Sequence, residues 1–502
     1  MAIVCVLVGQ CGNQLGDELL SQLAVITDKG KVPSPFFHSE RKARFVLVDS
    51  EPKVVEGFAR RQKELIRPDN VVFGQSGRGN NWALGYYGIN VEHSKRSEAR
   101  SVGKDRAFAN LHRGQRESDD NLIKRALQAI YMETRRTSDA EEFEAIIVMH
   151  SLVGGTGSGV ASRLAEKIRL YFIEPPEGVR VDEVYEDKMA RMDGLDGMMF
   201  EKRRARYLLS VTVAPQSLGE MCTQGINASL TLNVLQKQTD AVILLRNDDA
   251  MTSGNEKRGS SSSTLVTRAS TFKEANEILI STLLPVFGFG VSGAGSVGLL
   301  VEHCAPRIPR ITGGNNILSL VPTPQRTYEA FKKSVLRGCF YPIQGAKDFM
   351  PGCKAHVPVE ALLSQSAMAR FMIQKGEVEV PRGKQRVFKD RWDDQTEEEQ
   401  DKDSPPEIQE IPVQAPSKLS AYYKKLKNAP VTSLYEQIEG VLVMNEVREL
   451  NQRLLFPLLR SAALKVKAGA FLSTYQDVGV EIRNIESAYH EVAEILSAAE
   501  DL

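Results

Sequence analysis

This 502-residue chain has little that would place it in the disulfide, zinc, membrane or nucleic-acid classes. Its six cysteines, Cys5, Cys11, Cys222, Cys304, Cys339 and Cys353, are scattered and include no C-x-x-C pair. That spacing argues against a zinc site and for a reduced, cytosolic chain. No apolar run reaches the roughly 20 residues needed to cross a bilayer, so no membrane association is expected. Lys+Arg and Asp+Glu are both 64, so the chain carries no overall basic footprint for nucleic acid. The start, Met1 to Val8, lacks a basic n-region and reads as a first strand rather than a signal peptide. Length and composition leave a soluble α/β protein with room for two or three domains.

What the sequence does have is glycine, concentrated where a strand should give way to a helix. Ala145 to Met149 is an apolar run of the kind buried in a parallel sheet. Val160 to Leu170 has apolar residues at helical spacing. Between them lies Ser151-Leu152-Val153-Gly154-Gly155-Thr156-Gly157-Ser158-Gly159. Glycine lets the backbone take positive φ and approach a ligand closely, and a helix start favours an anion. A glycine turn can also be a tight connection and nothing more. Four glycines in six residues, with two hydroxyls, favour a phosphate. The loop is not a Walker A loop, because no lysine follows, and its spacing is not that of a dinucleotide fingerprint. A true G-x-G-x-x-G does occur at Gly288–Gly293, but it follows a helix and reads as a loop.

A second strand–turn–helix pattern opens the chain: residues 2–8, then Gly9-Gln10-Cys11-Gly12-Asn13-Gln14-Leu15-Gly16. Gln10 and Gln14 can donate amide hydrogens towards a phosphate or a base. The strand at Phe45–Val48 ends in Asp49-Ser50-Glu51-Pro52. Two acids at a strand's carboxyl end suit Mg²⁺, which is usually held by one or two carboxylates plus water and phosphate. A solvated turn is the plain alternative.

These motifs together resemble the tubulin family. Gly9–Gly16 is similar to its G-Q-C-G-N-Q-[IL]-G, Val48–Pro52 to its V-D-x-E-P, and Gly79–Tyr87 to its G-N-N-W-A-x-G-[HY]-Y. Residues 153–159 resemble its G-G-G-T-G-S-G, with Val153 at the first position. The resemblance covers residues 1–306 with strong motifs and 434–502 with weak ones. It implies a Rossmann-like, parallel-sheet GTPase domain at 1–287, with insertions at about 92–142, 174–206 and 252–271. A smaller α/β domain would span 288–433, with a charged insertion at about 383–418, and C-terminal helices would fill 434–502. The 174–206 insertion is expected to extend into solvent.

The resemblance also implies GTP/GDP and Mg²⁺ as cofactors and a set of site residues. Gly9, Gln10, Cys11, Gln14, Gly79, Asn80, Ser151 and Gly154, Gly155, Thr156, Gly157, Ser158 and Gly159 would hold the phosphates, and Asp49 and Glu51 the metal. Gln224 stands where the family has a ribose-binding glutamate, and can accept through its amide oxygen. Asn247 matches the asparagine that hydrogen-bonds guanine. Phe272 can stack on the purine, and Asn276, one turn on, can meet the guanine edge. Glu302 falls where α-type subunits carry an acid acting on a neighbouring subunit's nucleotide, although the family's N-x-D-L-x-E context here reads Val297-Gly298-Leu299-Leu300-Val301-Glu302.

Within the family the chain is most like the δ class, with ε second. Val153, the stretch from Leu230 to Asp248, and the missing long acidic tail after Ala498 carry that likeness. It implies a cytoplasmic, cytoskeletal protein of centrioles and basal bodies, in cells with cilia or flagella. Partners would be other tubulins, α/β or further copies, meeting through longitudinal contacts, together with centriolar proteins. Two readings of its chemistry follow: a nucleotide-holding structural subunit, and a weak GTPase activated at a subunit interface.

Overall fold

A computed structural model describes residues 2–30, 35–88, 120–137, 141–175, 186, 189–191, 193, 195, 204–215, 221–250, 271–283, 297, 301, 317–322, 340–344, 438–443 and 454–500. Glu302, the Gly288–Gly293 motif and the 383–418 stretch lie outside the described residues, as does most of the 252–271 loop.

β1 (Ala2–Val8) is buried along its whole length. Strands buried on both faces lose the polar–apolar alternation of an edge strand, and β1 has lost it. Its side chains nevertheless divide by parity. Ile3, Cys5 and Leu7 pack with Leu15, Leu19 and Leu23 of α1 (Gly9–Gly30) and with Val55 and Phe58 of α2 (Pro52–Arg61). Ala2, Val4, Val6 and Val8 pack on the other face, against α4 (Asp120–Arg136) and α5 (Ala161–Phe172). The short α3 (Trp82–Tyr87) lies between these in sequence.

β2 (Phe45–Asp49) and β3 (Val71–Phe73) flank β1 on one side. β4 (Phe143–Ser151), β5 (Tyr207–Ala214) and β6 (Ala241–Arg246) follow on the other. All five neighbouring pairs are parallel, with Val6 opposite both Val46 and Val148. The strands therefore end together, and so do the loops that leave their carboxyl ends.

β7 (Ile317–Pro322) adds a further parallel strand beside β6. β9 (Ile438–Val443) and then β8 (Phe340–Gln344) extend the same sheet antiparallel. The order is β3-β2-β1-β4-β5-β6-β7-β9-β8.

α6 (Gln224–Gln238) connects β5 to β6. It shares a separate apolar core with α9 (Phe456–Lys467) and α11 (Ile482–Glu500), built from Ile226, Leu232, Leu459, Ile485 and Val492. From Phe456 the described C-terminal residues are mainly helical and pack on α6, whereas Ile438–Val443, which falls in the stretch expected to be helical, is strand β9 of the sheet.

The described residues of the 174–206 segment differ in part from the expected extension into solvent. Ala190, Leu195 and Ala205 are buried with α4 and α5. Two of its described charges are paired: Asp193 bridges Lys167 of α5 at 2.5 Å, and Arg204 meets Glu186. A stretch dense in Glu, Lys and Arg reads as solvated when its partners lie elsewhere in the sequence. Here they lie on α5 and within the segment itself.

Candidate functional site

Three loops meet at the carboxyl ends of β1, β3 and β4, and glycine sets how closely. Gly9, at the β1–α1 junction, has φ +73°. A Cβ there would fall 2.9 Å from the Gly157 nitrogen. Gly12, in the first turn of α1, would put a Cβ 2.1 Å from the Met149 carbonyl oxygen. The β1–α1 turn is therefore laid directly on the end of β4 and the turn that follows, with no room for a side chain.

The turn after β4 contains Gly154 at φ +100° and a π-helical turn, Thr156–Val160, before α5 begins. Wide turns of this type recur at functional sites. Its shape is fixed from inside. Ser151 Oγ donates to the Val153 carbonyl at 2.5 Å, and Ser158 Oγ donates to the Gly154 carbonyl. Buried His150 bonds the Gly157 carbonyl through Nδ1 at 2.8 Å, while Nε2 meets Ser210 Oγ at 2.8 Å. A carbonyl can only accept, so Nδ1 carries the proton and Ser210 donates to Nε2. Burial lowers the His150 pKa to about 4, which keeps the ring neutral in that tautomer.

The third loop runs from Ser76 to Asn81. Gly79 and Asn80 both have φ +52°, a left-handed pair that asparagine tolerates better than most residues. Asn81 N–H closes the turn on the Arg78 carbonyl at 2.9 Å, and Asn81 Oδ1 caps α3 by accepting from Ala83 N–H at 2.8 Å. A Cβ on Gly155 would fall 2.4 Å from Arg78 Cβ, and one on Gly159 2.1 Å from the Trp82 carbonyl oxygen. The loop thus rests on the turn after β4. Trp82 is core: it is 5% exposed and donates from its indole N–H to Ser162 Oγ at 3.1 Å.

The two acids differ. Asp49 is buried, and burial raises its pKa to about 6, with the neighbouring Glu51 adding to the rise. Ser50 and Glu51 backbone N–H groups hydrogen-bond its carboxylate, the former at 2.8 Å, and oppose that shift. Glu51 is exposed, with its carboxylate beside Gly77. Ser50, between them, meets Thr156 Oγ1 at 2.5 Å and so joins the acidic turn to the glycine turn. Both acids offer hard oxygens of the kind that suit Mg²⁺. Among the described residues no cluster of three or more His, Cys, Asp or Glu could hold a metal by itself. A cation here would take its remaining ligands from elsewhere.

Two buried acceptors at this edge make no hydrogen bond: Asn13 Oδ1 and Gln224 Oε1. Unmet acceptors of this kind are uncommon in folded proteins and fit a ligand that donates. The Asn13 amide nitrogen is fully used, donating to the Gly9 and Val48 carbonyls at 2.9 and 3.0 Å. Cys11 is partly buried, and burial pushes its thiol up to about 12, so it is a neutral wall group. Gln10 and Gln14 are exposed on the first turns of α1, which carry no acid to offset the helix's positive end.

The remaining predicted residues lie on two helices, one of which packs against α1. Asn247 opens a short helix, α7 (Asn247–Ala250), directly after β6. α8 (Phe272–Leu283) packs against both α7 and α1. Phe272 is 50% exposed and Asn276 partly buried. Four residues that the sequence left without a role also build this edge: Ser50, His150, Asn13 and Asn227. Asn13 and Ser50 stand inside the motifs at Gly9–Gly16 and Val48–Pro52, so their positions were visible but their hydrogen-bonding duties were not.

Known proteins resemble this region. Residues 2–100 match the family model described as Tubulin/FtsZ family, GTPase domain. The chain is 33% identical over 185 residues to the tubulin beta chain of the Guillardia theta nucleomorph, covering 33% of this chain and 35% of that relative. It is 30% identical over 187 residues to the tubulin beta-1 chain of Geotrichum candidum, covering 33% of this chain and 34% of that one. The aligned part spans about a third of these curated relatives. The fold is of the same class: a Rossmann-like parallel sheet with helices on both faces and a helical C-terminal segment.

Proposed function

We propose that this chain is a tubulin-type cytoskeletal subunit that binds GTP or GDP with Mg²⁺, nearest to the δ class. Its work would be to assemble or maintain the triplet microtubules of centrioles and basal bodies. One observation carries the reading: three glycine loops converge at the carboxyl edge of a parallel sheet, where α/β folds hold their ligands.

The phosphates would rest on Gly9–Gln14, Gly79–Asn80 and Ser151 with Gly154–Gly159. No lysine takes part, so binding would rely on backbone N–H groups and helix starts. Asp49 and Glu51 would hold Mg²⁺, which neutralises phosphate charge when bound. Gln224 Oε1, buried and unpaired, suits a ribose hydroxyl as donor. Guanine would lie among Gln14, Asn247, Phe272 and Asn276. Glu302 would serve a neighbouring subunit's nucleotide across a longitudinal contact, with α/β-tubulin or a further copy as the neighbour.

The δ-type and centriolar parts of the reading rest on Val153, the Leu230–Asp248 stretch and the family resemblance. The test is nucleotide content. Purified chain is denatured and the released nucleotide identified and counted. About one guanine nucleotide per chain is the result expected from a tight site of this kind. An empty chain that takes up no GTP on titration overturns the reading. Hydrolysis measured with and without α/β-tubulin then separates a holding role from an interface-activated GTPase.

A further inference from the structure

The Gly79–Asn80 turn is held from behind by a chain segment almost 400 residues away, and one buried side chain, Asn227, touches both. Asn227, in the first turns of α6, is fully buried. Its amide nitrogen donates to the Asn80 carbonyl at 2.8 Å. Its Oδ1 accepts twice, from Trp82 N–H at 3.0 Å and from the Tyr475 hydroxyl at 2.6 Å. Tyr475 lies in the one-turn helix α10 (Ser473–Gln476) and is fully buried, although the adjoining Phe471 is 47% exposed. Two further bonds brace the same junction. Thr223 Oγ1 donates to the Asn80 carbonyl at 3.2 Å, and Asn81 Nδ2 donates to the Thr474 carbonyl at 3.0 Å.

We infer that Tyr475 and Asn227 are positioning residues for the phosphate loop, and that they link the C-terminal turn to the terminal phosphate of the bound nucleotide. The inference deepens the nucleotide reading and rests on it. Asn80 sits in a left-handed conformation that needs support from its surroundings, and its carbonyl has two donors aimed at it. A carbonyl clamped on one side fixes where the peptide's own N–H groups point on the other. The Tyr475 hydroxyl sets the rotation of the Asn227 amide, because an asparagine held at Oδ1 by two donors must present Nδ2 to Asn80. A change at the Tyr475 hydroxyl therefore reaches the loop through two hydrogen bonds, beside the direct bond from Asn81 to the Thr474 carbonyl. Coupling of this kind is reciprocal, so a phosphate seated on the loop must also steady the turn.

The test uses the full chain and Tyr475→Phe, which removes the hydroxyl and keeps the buried ring. GTPγS and GDP affinities are measured for both proteins. The expected result is about a tenfold loss for GTPγS, the size of one hydrogen bond, with GDP changed less than about twofold. Hydrogen exchange of the amides at 473–480 should be slower with GTPγS than with GDP in the parent chain. That difference should vanish in Tyr475→Phe. A second variant, Asn227→Ser, should lose the same discrimination. Equal losses for both nucleotides, or lower thermal stability with discrimination intact, would mean a packing role only and overturns the inference. A parent chain that binds nucleotide while residues 473–480 show no response overturns the coupling alone. A parent chain that binds neither nucleotide overturns the nucleotide reading and the inference with it.

Discussion

Two buried carboxylates mark opposite ends of β2, and their surroundings push them in opposite directions. Glu133, in the last turn of α4, lies by the amino end of the strand. It accepts from Asn70 Nδ2 at 2.9 Å and Arg136 at 2.8 Å, meets His38 Nε2 at 2.7 Å, and has Arg67 at 3.5 Å. Burial works against its charge, but the bonds from His38, Asn70 and Arg136 outweigh that and hold its pKa below the usual value. Asp49, at the carboxyl end, has only backbone N–H groups and a more distant Arg78 in its favour, and burial wins. One end of the sheet is electrostatically complete. The other keeps a carboxyl that is short of cations, at the edge where glycine loops leave room for a ligand. Perturbed groups in a structural cluster and in a functional site look alike one at a time. Whether the protein itself supplies the counter-charge separates them.

The comparison breaks most easily at Glu133. Glu133→Ala would leave His38, Arg67 and Arg136 facing one another around a hole, and should cost about 3–5 kcal/mol, read as a lower denaturation midpoint. A loss under about 1 kcal/mol would mean the cluster is not a structural keystone. Glu133's lowered pKa adds stability that is present above its unfolded value and is lost as the pH falls through the folded one.

Asp49→Asn should go the other way in metal-free, nucleotide-free protein. The rise from 3.8 to about 6 corresponds to a gain of about 3 kcal/mol at pH 7 for the uncharged variant. The sign follows from proton uptake: between those values the folded state binds the proton more tightly, so Asp49's share of stability falls as the pH rises through about 6. His150 has the opposite sign. Its folded pKa is lowered from 6.5 to about 4, so its share is present above the unfolded value and is lost as the pH falls towards the folded one. In the parent chain the two slopes oppose each other. Denaturation midpoints in EDTA from pH 4 to pH 7 should therefore fall more steeply towards acid in Asp49→Asn than in the parent. Parallel profiles would show that Asp49 carries no such penalty.

The contrast between the two ends was only half legible in the sequence. Apolar runs marked β1, β2 and β4, because both faces of each strand are covered, and glycine turns marked the ends of β1 and β4, while the short β3 gave no such signal. The carboxyl edge could be read residue by residue because its motifs are local: Gly9 to Gly16 and Ser151 to Gly159 are continuous. The Glu133 cluster gave no local signal. His38, Arg67, Asn70 and Glu133 are scattered over nearly a hundred residues, and only the pairing of β2, β3 and α4 gathers them. The same holds for Asn227 and Tyr475, which are 248 residues apart. Charge density misled at Glu186, Asp193 and Arg204, because a solvated face and a set of buried pairs have the same composition.

The smallest expected effect tests the carboxyl edge at its outer side. Phe272 is half exposed on α8, whereas Phe58, on the covered face of α2, is fully buried. Truncating Phe58 to alanine should cost about 3–5 kcal/mol, as for any buried aromatic. Truncating Phe272 removes a ring that already faces water, and stability should change by less than about 0.5 kcal/mol. If the ring stacks on a base, guanine-nucleotide affinity should still drop about five- to tenfold, since such contacts are worth about 0.5–1.5 kcal/mol beyond area alone. Phe272→Leu should recover little of that, because a branched aliphatic side chain presents no flat face. Unchanged affinity in Phe272→Ala would remove the stacking partner from the proposed site while leaving the phosphate loops untouched. The guanine assignment would then rest on Gln14, Asn247 and Asn276.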